Sequence, residues 1–215
     1  AYKKIKEWRF RDCCKQLFPV SFVEAYFLSE GIKTMPRTER RERERVALKI
    51  NEKISAQNPL QFEQHKVERK TALDTHGEFA KFLHKIPSDC PALDPENPKG
   101  ACTVYAYRNH DCRSMGLAFD GSANTIVGCF RFAGLKHLIP KLMDFSFRYG
   151  EKMQLDAELI REVTGGLFTA NLLYLTTMCG PFVRDYSETD WVKFFTDKGI
   201  PTKTEKDKYW VVIDV

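Results

Sequence analysis

Four consecutive residues, His110-Asp111-Cys112-Arg113, gather an imidazole, a carboxylate, a thiol and a guanidinium. In such a set Cys112 would attack as thiolate, His110 would take and return the proton, Asp111 or a distant Asn or Asp would orient the ring and Arg113 would stabilise the charged sulfur. Cys129 is the alternative nucleophile. Adjacency alone argues little for this Cys/His-dependent hydrolase, because consecutive residues of an extended chain face opposite ways and only His110 and Cys112 share a side. A polar turn between strands accounts for the same residues.

Metal binding is the second use of these groups. Cys90, Cys102, His110, Cys112 and Cys129 fall within forty residues, and structural zinc takes four such donors in a tetrahedron, yet the Cys-x2-Cys knuckle is absent. Small buried cysteines explain Cys102 and Cys129 equally well, and a Cys90 to Cys102 disulfide would require an oxidising compartment. The phosphate-binding glycine loops, the Gly-x-Ser-x-Gly elbow and His-Glu-x-x-His are also missing. No metal or cofactor is therefore expected. Gly165-Gly166 precedes an apolar run and could offer amides to an anion, but serves a tight entry as readily.

Charge gives a different kind of chemistry. Residues 37–53 hold seven of the chain's 34 basic groups, Arg37, Arg40, Arg41, Arg43, Arg45, Lys49 and Lys53, interleaved with Glu39, Glu42 and Glu44. Residues 1–85 balance to +7 (nineteen Lys or Arg against twelve Asp or Glu) and residues 86–215 to −2 (fifteen against seventeen), so the net +5 is an N-terminal property. Such a segment would position phosphates rather than read bases. The leading expectation is a non-enzymatic protein that binds nucleic acid, RNA included, or another polyanion through a basic helix. The same helix also suits a protein-interaction module with a mixed-charge face for an acidic protein surface; the hydrolase is the third reading.

A further base-stacking surface would arise if Phe130 and Phe132 shared one strand face beside Tyr105 and Tyr107. Core packing is the default for these rings. The Lys/Arg-Gly opening and alternating topology of RNA-recognition domains are missing.

The elements that must position these groups follow from periodicity. Pro19 separates two short helices within 2–30, with Gly31 closing the second. Thr38 caps the basic helix, Val46, Ile50 and Ile54 form its apolar stripe, and Pro59 ends it. Its first two turns, 39–45, lack any apolar residue, which predicts a projecting end. Another helix is expected over 63–84. Four prolines in residues 86–100 predict a junction between a helical basic region, 1–85, and an α+β domain, 101–215.

Strands are expected at 102–108, 114–119 and 125–132, forming an antiparallel meander with a turn at 120–124. Helices at 135–148 and 153–163 flank Gly150, and a buried helix covers 167–179. A short amphipathic helix at 190–197 precedes a closing strand at 209–215, which must lie inside the sheet or be covered at its edge. The fold class is α+β, with helices packed on a small antiparallel sheet.

Residues 163–183 carry no Asp, Glu, Lys or Arg, but Gly165, Gly166, Asn171, four threonines and Pro181 make this run too polar for lipid. Seven cysteines, an odd number without the density of a secreted scaffold, favour an intracellular, reducing compartment. The first residues are Ala-Tyr rather than Met, so processing leaves secretion open.

Overall fold

The computed structural model describes residues 17–57, 65–68, 79, 82–83, 85–86, 88–94, 96, 102–109, 112, 118–120, 125–127, 145–169, 172–203 and 208–214. In chain order the described elements are β1 (Pro19–Val20), α1 (Phe22–Lys33), α2 (Arg37–Gln57), β2 (His65–Glu68), a 3-10 turn (Tyr105–Tyr107), β3 (Ala118–Asp120), β4 (Thr125–Val127), α3 (Phe145–Val163), β5 (Leu172–Thr177), α4 (Gly180–Val183), α5 (Trp191–Asp197) and β6 (Lys208–Asp214). The fold is α+β.

Two sheets carry the strands. β3 and β4 form an antiparallel pair in which Phe119 lies opposite Ile126, as the turn residues between them require. The larger sheet has the order β1-β5-β6-β2. β1 pairs antiparallel with β5 (Pro19 opposite Thr177), β2 pairs antiparallel with β6 (Val67 opposite Tyr209), and β5 runs parallel to β6 with register shifts along the ladder. Strands from residues 1–85 therefore flank strands from residues 101–215 in one sheet. The expected antiparallel meander is thus only the β3–β4 pair, and the main sheet is mixed. The closing strand β6 lies inside it, as its apolar run demands.

The uncharged run expected as a helix over 167–179 is strand β5 followed by the short helix α4. Leu172, Tyr174, Leu175, Thr176 and Thr177 are all buried, and a strand covered on both faces reads as a continuous apolar run that periodicity cannot tell from a buried helix. His65–Glu68 is likewise a strand within the segment expected to be helical from 63 to 84. Residues 105–107 form a 3-10 turn instead of part of a strand, and α3 runs through Gly150 without a break. Residues 135–144 of the helix expected over 135–148, and the first helix before Pro19, lie outside the described residues. Pro19 itself sits in the edge strand β1, where a missing N–H is tolerated.

Helices α1, α3 and α4 pack against β5, and α2 rides on α4. The core joins them through aromatic rings: Trp191 lies 4.3 Å from Phe22 and 5.5 Å from Phe195 between centroids, and Phe79 stacks on Tyr174 at 5.0 Å. Truncating such a ring costs about 3–5 kcal/mol, so these contacts hold α1 and α5 together firmly. Asp190 caps α5 by accepting from the Lys193 N–H at 3.0 Å, which confirms the short helix at 190–197.

Gly31 lies in the last turn of α1 rather than closing it. A Cβ there would stand 2.5 Å from the Tyr107 ring, so glycine is required by the close approach of the 3-10 turn.

Candidate nucleic-acid interface

The surface of α2 is decided by which of its turns face α4. Arg43, Ala47, Ile50, Asn51 and Ile54 are buried, and they define an inner face that includes Ile50 and Ile54 but not Val46, which is 37% exposed. The helix begins at Arg37, with the Pro36 carbonyl accepting from the Arg40 N–H at 2.9 Å. Thr38 is therefore inside the first turn and not the cap.

On the outer face, Arg37, Arg41, Arg45, Lys49 and Lys53 are all exposed. Their spacing of four residues moves each only about 40° round from the last and about 6 Å along the axis, so they form one gently winding row about 24 Å long. Among the described residues none of the five forms an ion pair. Glu42 and Glu52 share the exposed side, leaving five cations against two carboxylates. Glu39 and Glu44 are half-buried at the margins of the inner face, where they weaken the outer field least.

The other two expected anchors differ. Arg40 is half-buried. Arg43 is 8% exposed and donates from Nη1 to the Leu93 carbonyl at 2.7 Å, while its Nη2 lies 3.5 Å from Glu39 Oε1. This guanidinium is committed to the fold and is withdrawn from the phosphate-contacting set. The first turns of α2 consequently do not project; Arg43 fastens them to the segment that contains Leu93, which in turn bridges Cys102.

The Cys/His cluster is not assembled by the described residues. Cys112 is half-buried and its N–H donates to Asn109 Oδ1 at 2.9 Å, whereas His110, Asp111, Arg113 and Cys129 lie outside the described residues, as do Phe130 and Phe132. Burial raises the Cys102 thiol pKa and pushes that of Cys179 up to about 12, away from thiolate chemistry. Cys90, Cys102, Cys112 and Cys179 are free thiols. Among the described residues no group of three or more His, Cys, Asp or Glu side chains could hold a metal, and no helix is long and apolar enough to cross a membrane.

Two charged clusters join residues far apart in the sequence. Lys33 meets Glu30, Asp185 and Glu188 at 3.1, 3.3 and 3.0 Å, and these partners, Glu188 foremost, raise its pKa. Asp156 on α3 is buried at the start of α1, where its Oδ1 accepts from the Val23 N–H at 2.6 Å and the Ser21 hydroxyl at 3.1 Å. Neither has a sequence signature at its long-range partner.

Compared with protein-family models, curated proteins and solved structures, the chain matches none.

Proposed function

We propose that the protein binds a polyanion, nucleic acid foremost, through the outer row of α2. The observation that carries this reading is the set of five exposed cations at four-residue spacing, none engaged in an ion pair among the described residues. A helix surface that served only for solubility would gain by pairing such cations with carboxylates four residues away, and here the inner margins take two of the four glutamates instead. Arg37, Arg41, Arg45, Lys49 and Lys53 are the phosphate contacts; Arg43 holds the helix in place.

The contact is electrostatic, so affinity for duplex should fall with salt with a log–log slope of about −0.9 per phosphate neutralised. Replacing Arg41, Arg45 and Lys49 together by alanine should reduce that slope by about 3 and weaken binding at low salt on every sequence alike. Titration of labelled duplex and single-stranded oligonucleotides at two salt concentrations, with circular dichroism to show an intact fold, measures both. Salt-independent binding, or a triple variant that binds as tightly as its parent, removes the proposal.

A second reading has one observation in its favour. Leu48, 42% exposed, and Val46 lie on or beside the cationic side and would anchor an acidic protein surface better than they would a phosphate backbone. Competition decides between them: a nucleic-acid site is cleared by heparin and by oligonucleotide alike, whereas apolar anchoring to a protein persists at salt concentrations that abolish oligonucleotide binding.

A further inference from the structure

The exposed cations of α2 do not lie on a straight line. Each step of four residues moves the row about 40° round the helix, so from Arg37 to Lys53 it swings about 160° while climbing about 24 Å. The buried face fixes what this swing means. Arg43, Ala47, Ile50, Asn51 and Ile54 are buried, and the crest opposite their mean direction falls at Arg45. Arg41 and Lys49 stand about 40° to either side of that crest, and Arg37 and Lys53 about 80°. The row therefore rises beside one margin of the buried face, crosses the crest at Arg45 and descends beside the other margin.

The carboxylates follow the same geometry. Glu42 and Glu52 are exposed, and each, at its own height on the helix, lies about 90° from the row, Glu42 on one side and Glu52 on the other. A chain that winds with the cations passes between them. A straight ligand laid along the crest instead meets Glu52, which stands about 20° from it. Such a ligand also leaves the ends of the row behind. On a helix about 10–12 Å across with its side chains, groups 80° from the crest sit about 4–5 Å below it. Duplex is a stiff rod at this scale, so it meets Arg41, Arg45 and Lys49 and stands off from Arg37 and Lys53. A single strand bends freely and can track a winding groove or ridge of positive charge along its whole course.

We propose that α2 binds single-stranded nucleic acid in preference to duplex, the phosphates of the strand following the diagonal from Arg37 over Arg45 to Lys53. The inference rests on the polyanion reading of α2 and specifies its ligand by shape: a flexible chain of phosphates that wraps the helix, held without base readout. Glu42 and Glu52 flank this path and repel a strand that strays from it.

The test measures the salt dependence of affinity for a dodecamer of deoxythymidine and for a duplex of the same length, with circular dichroism to show an intact fold. Each phosphate neutralised contributes about 0.7 to the log–log slope for a single strand and about 0.9 for duplex. Replacing Arg37 and Lys53 together by alanine should therefore lower the single-strand slope by about 1.4 and the duplex slope by less than half as much. Glu52→Gln should tighten duplex binding by about 2–5-fold at low salt, the worth of one surface charge contact, and change single-strand binding little. Equal loss of slope on both ligands in the double variant, no loss on the single strand, or equal gains on both from Glu52→Gln overturns the winding path. The row itself is judged separately by the Arg41, Arg45 and Lys49 triple alanine variant: loss of slope on both ligands keeps it, and two unchanged slopes remove it together with the path.

Discussion

Arg43 donates to a carbonyl of another segment at 2.7 Å, whereas Arg41 and Arg45 on either side of it are exposed. The three are indistinguishable by residue type, and α-helical geometry alone separates them: two residues along the helix is about 200° round it. A buried hydrogen bond from a charged group contributes about 1.5–3 kcal/mol, and removing the donor leaves the acceptor without its partner. Arg43→Ala should therefore lower the unfolding free energy by about that amount in urea titration, with Arg41→Ala within about 0.5 kcal/mol of wild type. Binding should show the opposite order, Arg41→Ala losing affinity and Arg43→Ala keeping its salt slope under conditions where it is folded. Equal stability of the two variants would contradict the assigned roles. The sequence held the row but not this exception, because the partner of Arg43 is a backbone carbonyl fifty residues away, and carbonyls have no residue type to read.

Among the elements, α1 and α3 are joined by charge as well as by packing. The Ser21-Phe-Val-Glu24 start of α1 carries the reciprocal cap spacing, and Glu24 Oε2 accepts from the Ser21 N–H at 2.9 Å; this much is legible in the sequence. What could not be read is the carboxylate of Asp156, which reaches the same helix start from α3 with one oxygen satisfied and the other, Oδ2, buried without a hydrogen-bond partner. Burial, reinforced by Glu24 and opposed by Lys152, the Val23 N–H and the Ser21 hydroxyl, raises its pKa from 3.8 to about 7. Lys152 lies 3.6 Å from Glu24 beside it.

A raised carboxyl pKa means that the folded chain holds a proton that the unfolded chain has released. Its contribution to stability is fully present below about pH 4, falls as pH rises through the window to about 7, and changes no further above it. Over pH 5 to 8 wild type should lose roughly 1–3 kcal/mol from this group, and Asp156→Asn, which keeps an acceptor for Val23, should lack that part of the slope. Urea unfolding at four pH values measures it; parallel profiles for the two proteins would show that Asp156 does not titrate in this range.

At the scale of the whole molecule the order of the larger sheet is what binds the chain into one piece. Short-range pattern found β3, β4, α5 and β6, since each has a turn, a cap or an alternation within a few residues of itself. It missed β2 and β5, whose identity is set by neighbours distant in sequence: β2 is a four-residue strand in a charged stretch, and β5 an apolar run closed in by sheet and helices. The proline-rich 86–100 segment looked like a boundary, yet β1 and β2 from before it pair with β5 and β6 from after it.

The order β1-β5-β6-β2 makes a sharp demand on β6. As an internal strand it uses its N–H groups on both sides, and Val211 lies opposite both His65 of β2 and Tyr174 of β5. Proline is accepted in the edge strand β1 at Pro19 because one side of that strand needs no donor. Val211→Pro should instead cost roughly 1–3 kcal/mol or more, through a lost ladder bond that leaves a backbone acceptor inside the sheet without its partner. Loss of the cooperative urea transition, or a midpoint far below wild type, is the expected result. A variant within 1 kcal/mol of wild type, an order-of-magnitude threshold set by ordinary surface substitutions, would place β6 at an edge and leave the two halves of the chain without the sheet that joins them.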